Sequence, residues 1–379
     1  MNQMPEGNAI VYCEGAFNTP NGKTANGLVR FTRRYRVLSV IDSRYAGQDA
    51  GEVLDGSANR IPILGSLDQA VKEADSHTHP ATHFVVGLAP DGGRLTPEAR
   101  QDVKKAISYG LDVDCGLHDY LSEDPKMIKL AAQYGVKIRD IRKPPRIHKL
   151  HFFSGKIEAV EALKIAVLGT DSAIGKRTTA WLLVNGFKDS GLRAEMIGTG
   201  QTAWMQGAKY GIIMDSLVND FVAGEIEHAV WTAWNEEKPD IIVIEGQGSL
   251  MNPAYPGGFE ILAAGRPDII ILQHAPARLE YDGFPGYPIQ PLTKQIQAIE
   301  LLSAKPVVAI TINHEGLSTD RLSSIYATIQ KKTGLPVFDV LRDGAGAIVE
   351  ILKSYVKDYR EKSHGIKTDA TQSQPEIYF

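Results

Sequence analysis

Cysteine is nearly absent: Cys13 and Cys115 are the only two in 379 residues. Two thiols in different predicted elements are too few to staple a chain of this length, so a reduced protein is expected. No Cys/His cluster of metal-ligand spacing occurs, which excludes a structural zinc centre of the usual kind. A basic excess is missing too. Lys+Arg 41 against Asp+Glu 45 leaves a formal charge of -4, which argues against a protein that coats nucleic acid. No apolar run approaches the roughly 18 residues that cross a bilayer, so no membrane partner is expected. Met1-Asn2-Gln3-Met4-Pro5-Glu6 lacks a basic start with a greasy core behind it, and the expected location is the cytoplasm. What is present is a globular composition, 43% hydrophobic and 23% charged, on a chain long enough for two or three domains.

Short β-branched runs alternate with segments of helical period, the pattern of strands and helices wound into parallel α/β sheets. In the first half the runs fall at Ala9-Tyr12, Arg36-Ile41, His83-Val86, Leu111-Val113 and Lys137-Ile141, with helices expected over Thr24-Arg33, Pro97-Tyr109 and Pro125-Tyr134. Two prolines and three cations at Arg142-Lys143-Pro144-Pro145-Arg146 suit neither a central strand nor a helix and mark a boundary. A second series begins at Leu163-Leu168 and continues at Ala194-Ile197, Asp240-Ile244, Asp268-Leu272, Pro306-Ile312 and Pro336-Val340. Its helices are expected over Lys176-Lys188, Leu217-Asn235, Thr293-Leu302, Arg321-Lys332 and Ala345-Tyr359. The expected domains are 1–145 and 146–362, with a solvated tail over 363–379.

The strongest signal for chemistry is the strand Leu163-Leu168 running into Gly169, Thr170, Asp171, Ser172, Ala173, Ile174, Gly175, Lys176, Arg177, Thr178 and Thr179. A buried strand, a glycine-bounded loop and a helix start form the setting a phosphate cradle requires. Backbone N–H groups would converge there, and the Lys176 ammonium would close over the anion, which points to a diphosphate. Two positions depart from the strict P-loop pattern. Gly169 stands one place early, and Arg177 follows the lysine where a metal-binding hydroxyl is wanted. Thr178 reaches Mg²⁺ only if the helix start is rotated or widened, so anion binding is the firmer expectation.

The run Asp240-Ile244 leads to Glu245-Gly246-Gln247-Gly248-Ser249, a strand ending in a carboxylate and two glycines, suited to present an acid beside a phosphate loop. Gln201 and Thr202 follow Gly198 and Gly200 as a polar substrate loop, with Gln247 in the same role. Asp215 divides between a helix cap and a catalytic or metal role, and Asp220 reads as a cap. His274 and Arg278 precede a loop rich in glycine, proline and aromatics at residues 281–288 that is shaped like a lid. The Arg278 fork suits a substrate carboxylate. Asn313 ends the next strand, where a cofactor base can be read. In the first half, Gly22-Lys23-Thr24 reads as a helix start. No G-x-G-x-x-G follows the first strand, so dinucleotide binding is unsupported despite Asp42 at the second strand end.

The loop Gly169-Thr170-Asp171 with Gly175-Lys176 and the later Glu245-Gly246-Gln247-Gly248 resembles the dethiobiotin synthetase branch of P-loop proteins. Over nearly the whole chain, Glu14-Gly15, Lys23-Thr24-Ala25, Gly200-Gln201-Thr202 and Asp220-Phe221-Val222 added to these resemble the domain of unknown function 1611 family. That resemblance implies a Rossmann-like N-terminal domain, a C-terminal P-loop domain, and acetyl transfer from acetyl-coenzyme A to a D-amino acid, D-glutamate foremost. Under it the phosphate loop holds the donor, Glu245 or Asp215 takes the ammonium proton, and Lys176 and backbone N–H groups stabilise charge. The alternatives are ATP-dependent ligation or phosphoryl transfer, with Thr178, Asp215 and Glu245 on Mg²⁺, and a nucleotide-binding regulatory module. The partner expected is a small-molecule amino acid, and the layout is compatible with a homo-oligomer.

Overall fold

Residues 4–76 and 79–369 are described by a computed structural model, in which two compact units each carry a sheet. The first unit is Met1–Leu150 with Gly198–Val218, and the second is His151–Ile197 with Asn219–Phe379. The strands of the first unit's sheet are β1 (Gly7–Tyr12), β2 (Tyr35–Ile41), β3 (Ile63–Leu64), β4 (His83–Val86), β5 (Asp112–Cys115) and β6 (Ile138–Asp140). All pair in parallel, in the order β3-β2-β1-β4-β5-β6. A parallel sheet needs helices on both faces, so its strands are buried on both. Along β1, Ile10 and Tyr12 enter one apolar cluster, while Ala9 and Val11 enter the other. Cys13 and Cys115 fall into these two different clusters, are both buried, and are both free thiols. Burial pushes the Cys115 thiol up to about 12, which makes it an inert core residue.

Local chemistry sets the element ends. Helix Pro125–Tyr134 opens on a proline behind Asp124, whose carboxylate accepts from the Lys126 N–H, and closes at Gly135 in the left-handed region. The sequence reading missed β3 because two residues carry no period. The short helices Ala50–Asp55 and Leu67–Asp75 also went unmarked.

The second sheet contains β7 (Leu163–Gly169), β8 (Ala194–Gly198), β9 (Tyr210–Gly211), β10 (Ile241–Glu245), β11 (Ile269–His274), β12 (Val307–Ile312) and β13 (Val337–Phe338), in the order β13-β12-β11-β7-β10-β8-β9. From β13 through β8 the pairs are parallel. The central strand β7 is buried at every residue and has β10 and β11 as neighbours. The carboxyl ends of these three strands therefore lie side by side, and every loop expected to carry chemistry in this unit leaves from one of them or from β12. On helix Asn219–Glu237 the stripe Val222, Ile226, Val230 and Ala233 is buried. The last helix runs past Tyr359 to Asp369, and residues 370–379 of the expected tail lie outside the described residues.

Candidate functional site

The turn between β7 and helix Lys176–Asp189 is built by two residues with positive φ, Ala173 at 51° and Gly175 at 101°. Such reversals swing successive peptide planes so that their N–H groups face one point. Among the described residues, the amides of Asp171, Ala173, Ile174 and Gly175 donate to no backbone or side-chain acceptor. Ala173 is exposed at the tip of the loop, whereas Ile174 is buried and anchors it. An open set of amides at a helix start is suited to an anion.

Lys176 is only 7% exposed. Its Nζ donates to the carbonyl oxygens of Asp171 at 2.6 Å and Gly248 at 2.8 Å. Gly169 makes this fold-back feasible, because a methyl group there would stand 2.8 Å from Lys176 Cδ. Gly246 packs against the same stem, and its amide donates to the Val167 carbonyl at 3.0 Å. Glu245, buried at the end of β10, precedes it.

Asp171 is fully buried, and its carboxylate accepts from the Ser172 N–H at 2.7 Å, Asn252 Nδ2 at 2.9 Å, Arg278 at 3.2 Å and the Asp282 N–H at 2.9 Å. Asp171, expected in the cofactor set, thus has its carboxylate engaged by groups of this chain. Its carboxylate brings three segments together. Arg278, expected to receive a substrate carboxylate, is likewise engaged: it donates to Asp171, to the carbonyls of Ser172 and Ala173, and to Glu315 at 3.1 Å. Burial would lower its pKa, but Glu315, Asp282 and Asp171 outweigh that and hold it above the ordinary value. Thr179, expected in the cofactor set, donates to Gln273 Oε1 at 2.6 Å, as does Thr311 at 2.5 Å. Asn313 caps its own turn by accepting from the Glu315 N–H at 2.9 Å.

Thr170 Oγ1 lies 3.0 Å from His274 Nδ1. Burial drives the His274 pKa down to about 4, so the imidazole is neutral at physiological pH. Gln247 lines a cavity of ≈ 10 Å³ with Leu168, Gly169 and Ser249, room for about one water. Arg177 and Thr178 are half-buried on the first helical turn. Among the described residues no three His, Cys, Asp or Glu side chains gather as metal ligands.

The remaining expected residues belong to the first unit. Gln201 is buried, and Gly116 faces it so closely that a methyl group would stand 2.7 Å from Gln201 Cγ. Thr202 shares a 2.9 Å hydroxyl contact with Thr24. Asp215 is ion-paired with Arg142 at 2.6 Å. The candidate residues thus form two groups, one in each unit. Asn252 was missed by sequence reasoning, although it is 1% exposed and its Oδ1 accepts from the Ala254 and Tyr255 N–H groups, both at 2.9 Å. The Asn-Pro pair at 252–253 was the available turn signal.

A family model described as a domain of unknown function 1611 Rossmann-like domain matches residues 43–144, and its C-terminal P-loop domain matches residues 151–349. A D-glutamate N-acetyltransferase of Tritonibacter scottomollicae is 28% identical over 298 residues, covering 76% of this chain and 86% of that one. A protein of the same name from Pseudoalteromonas sp. is 28% identical over 279 residues, covering 71% and 80%. The crystal structure of a family member from Anabaena variabilis matches with a TM-score of 0.84 and 29% identity, over 92% of this chain and 99% of that one. With its Rossmann-like first half and P-loop second half, the chain belongs to the domain of unknown function 1611 family.

Proposed function

We propose that this protein is an N-acetyltransferase that moves the acetyl group of acetyl-coenzyme A to the amino group of a D-amino acid, D-glutamate foremost. The open amides of the loop at 171–175 carry this reading, since they suit a diphosphate and Lys176 lies beside them. The name borne by the two relatives supplies the reaction class. Arg177, in place of a hydroxyl after the lysine, fits a donor whose diphosphate needs no metal for transfer.

On donor binding, Lys176 Nζ exchanges its two carbonyl partners for phosphate oxygens, a stronger charge-assisted contact. The arm joining the diphosphate to the thioester spans roughly 14 Å, about four extended peptide units. With the diphosphate in the loop, Glu245 and His274 therefore neighbour phosphates rather than the reacting carbonyl. The proton acceptor sits farther along the arm.

The test is thiol release from acetyl-coenzyme A with D- and L-amino acids, run beside ADP release from Mg-ATP. Thiol release with D-glutamate is expected, and Lys176→Ala weakens donor binding at least tenfold. Magnesium-dependent ADP release without thiol would replace this reading with ligation.

A further inference from the structure

The first unit gathers a second charged group that the phosphate loop does not account for. It sits where open α/β sheets bind ligands, beyond the carboxyl ends of the strands. His118 follows β5 and Arg142 follows β6. Arg142 donates from one terminal nitrogen to Asp215 Oδ2 at 2.6 Å and approaches His118 Nε2 at 2.5 Å. A guanidinium has no acceptor, so His118 Nε2 must accept and the ring proton resides on Nδ1. The imidazole is neutral. Burial and the Arg142 charge lower its pKa, with Asp215 opposing them.

This arrangement is held from several sides. Tyr120 donates its hydroxyl to the Arg142 carbonyl at 3.2 Å. The His118 N–H donates to the Gly93 carbonyl at 2.8 Å, and a methyl group on Gly93 would stand 2.5 Å from His118 Cδ2. The Arg142 side chain is 12% exposed. Its Nε is shut off from solvent and has no acceptor among the described residues. The guanidinium thus has one edge held by a carboxylate from this chain and one buried donor unmatched, while Arg278, the other candidate, has both terminal nitrogens engaged with the phosphate loop and Glu315.

We propose that Arg142, with His118 beside it, is the site that binds a carboxylate of the amino-acid acceptor, and that Asp215 occupies this site until the acceptor displaces it. The assignment rests on the acetyl-transfer reading for the identity of its ligand. Asp215 comes from a single short turn, Met214–Ser216, and is the more exposed partner at 27%. An incoming carboxylate replaces one charge-assisted contact by another and gains the planar fork of the guanidinium.

The experiment titrates the full-length protein calorimetrically with D-glutamate, with glutarate as an amine-free probe, and separately with acetyl-coenzyme A. Arg142→Lys keeps the charge but loses the fork, and is expected to weaken D-glutamate and glutarate binding at least tenfold while the acetyl-coenzyme A affinity stays within twofold. Asp215→Asn removes the competitor and is expected to tighten both acids, which a merely structural ion pair would not do. Lys143→Met is the neighbouring surface control and leaves all three affinities unchanged. Arg142→Lys with unaltered acid binding, Asp215→Asn with weaker binding, or a wild-type protein that binds neither acid would each overturn the proposal. If the wild type binds D-glutamate through Arg142 yet releases no thiol, the donor assignment fails and the carboxylate site stands. If the wild type acetylates D-glutamate and the Arg142 variant keeps its KM, only the carboxylate site fails.

Discussion

His274 shows how position alone can fix a protonation state. It ends a buried strand beside Thr170, and withdrawal from water disfavours the charged ring. Its folded pKa of about 4 lies below the ordinary value of about 6.5. The unfolded chain therefore binds a proton as pH falls through 6.5 while the folded chain does not, so stability is lost down to about pH 4 and levels off below it. The loss amounts to at most about 3 kcal/mol. Urea unfolding at a series of pH values should show the wild type losing stability relative to His274→Gln across that window, with a constant difference above pH 7. A pH-independent difference would show that the ring is solvated. Sequence reasoning set His274 just beyond its strand, whereas it is the strand's last residue, and it had no access to the charge state, because burial is a property of the surroundings. The same holds for Asp171 and Arg278. Their residue types announced chemistry, and only the fold revealed that they bind each other.

At the scale of elements, the loop after β10 is as constrained as the phosphate loop it faces. Gly248 has φ of 50°, and a methyl group there would stand 2.0 Å from the Tyr255 carbonyl oxygen. Its own carbonyl holds Lys176. Gly248→Ala is thus expected to cost about 1–3 kcal/mol in backbone strain and to move the Lys176 partner. Thermal unfolding and acetyl-coenzyme A titration check both effects together. An unchanged affinity would mean that this carbonyl does not position the lysine. The glycines at 246 and 248 stood out in the sequence, but the neighbours they make room for, Val167 and Tyr255 of this chain, did not. Asn252 did not stand out either, because an asparagine in a loop has no periodicity and its partner Asp171 is 81 residues away.

For the molecule as a whole, the segment Gly198–Val218 lies within the second strand series yet belongs to the first unit. Gln206 Nε2 donates to the carbonyls of Gly27 and Phe31, Thr202 meets Thr24, and Arg34 stacks on Trp204 with its guanidinium carbon 3.7 Å from the ring centroid. A fragment of residues 1–150 lacks all of these partners and leaves buried groups unmatched. It is expected to melt broadly by circular dichroism. A sharp transition at the temperature of the intact chain would show that the segment contributes nothing to the first unit.

The sequence alone was sufficient for whatever depends on neighbours along the chain. Strand and helix periods and the glycine-bounded loop before Lys176 are local patterns, and local backbone preferences together with solvent exclusion determine them. The tertiary structure alone decided which partner each buried charge takes. Lys176 folds back on Gly248, Arg278 closes on Asp171, and Arg142 takes Asp215, because a buried ion selects its partner by proximity in space, across separations that no sequence window spans.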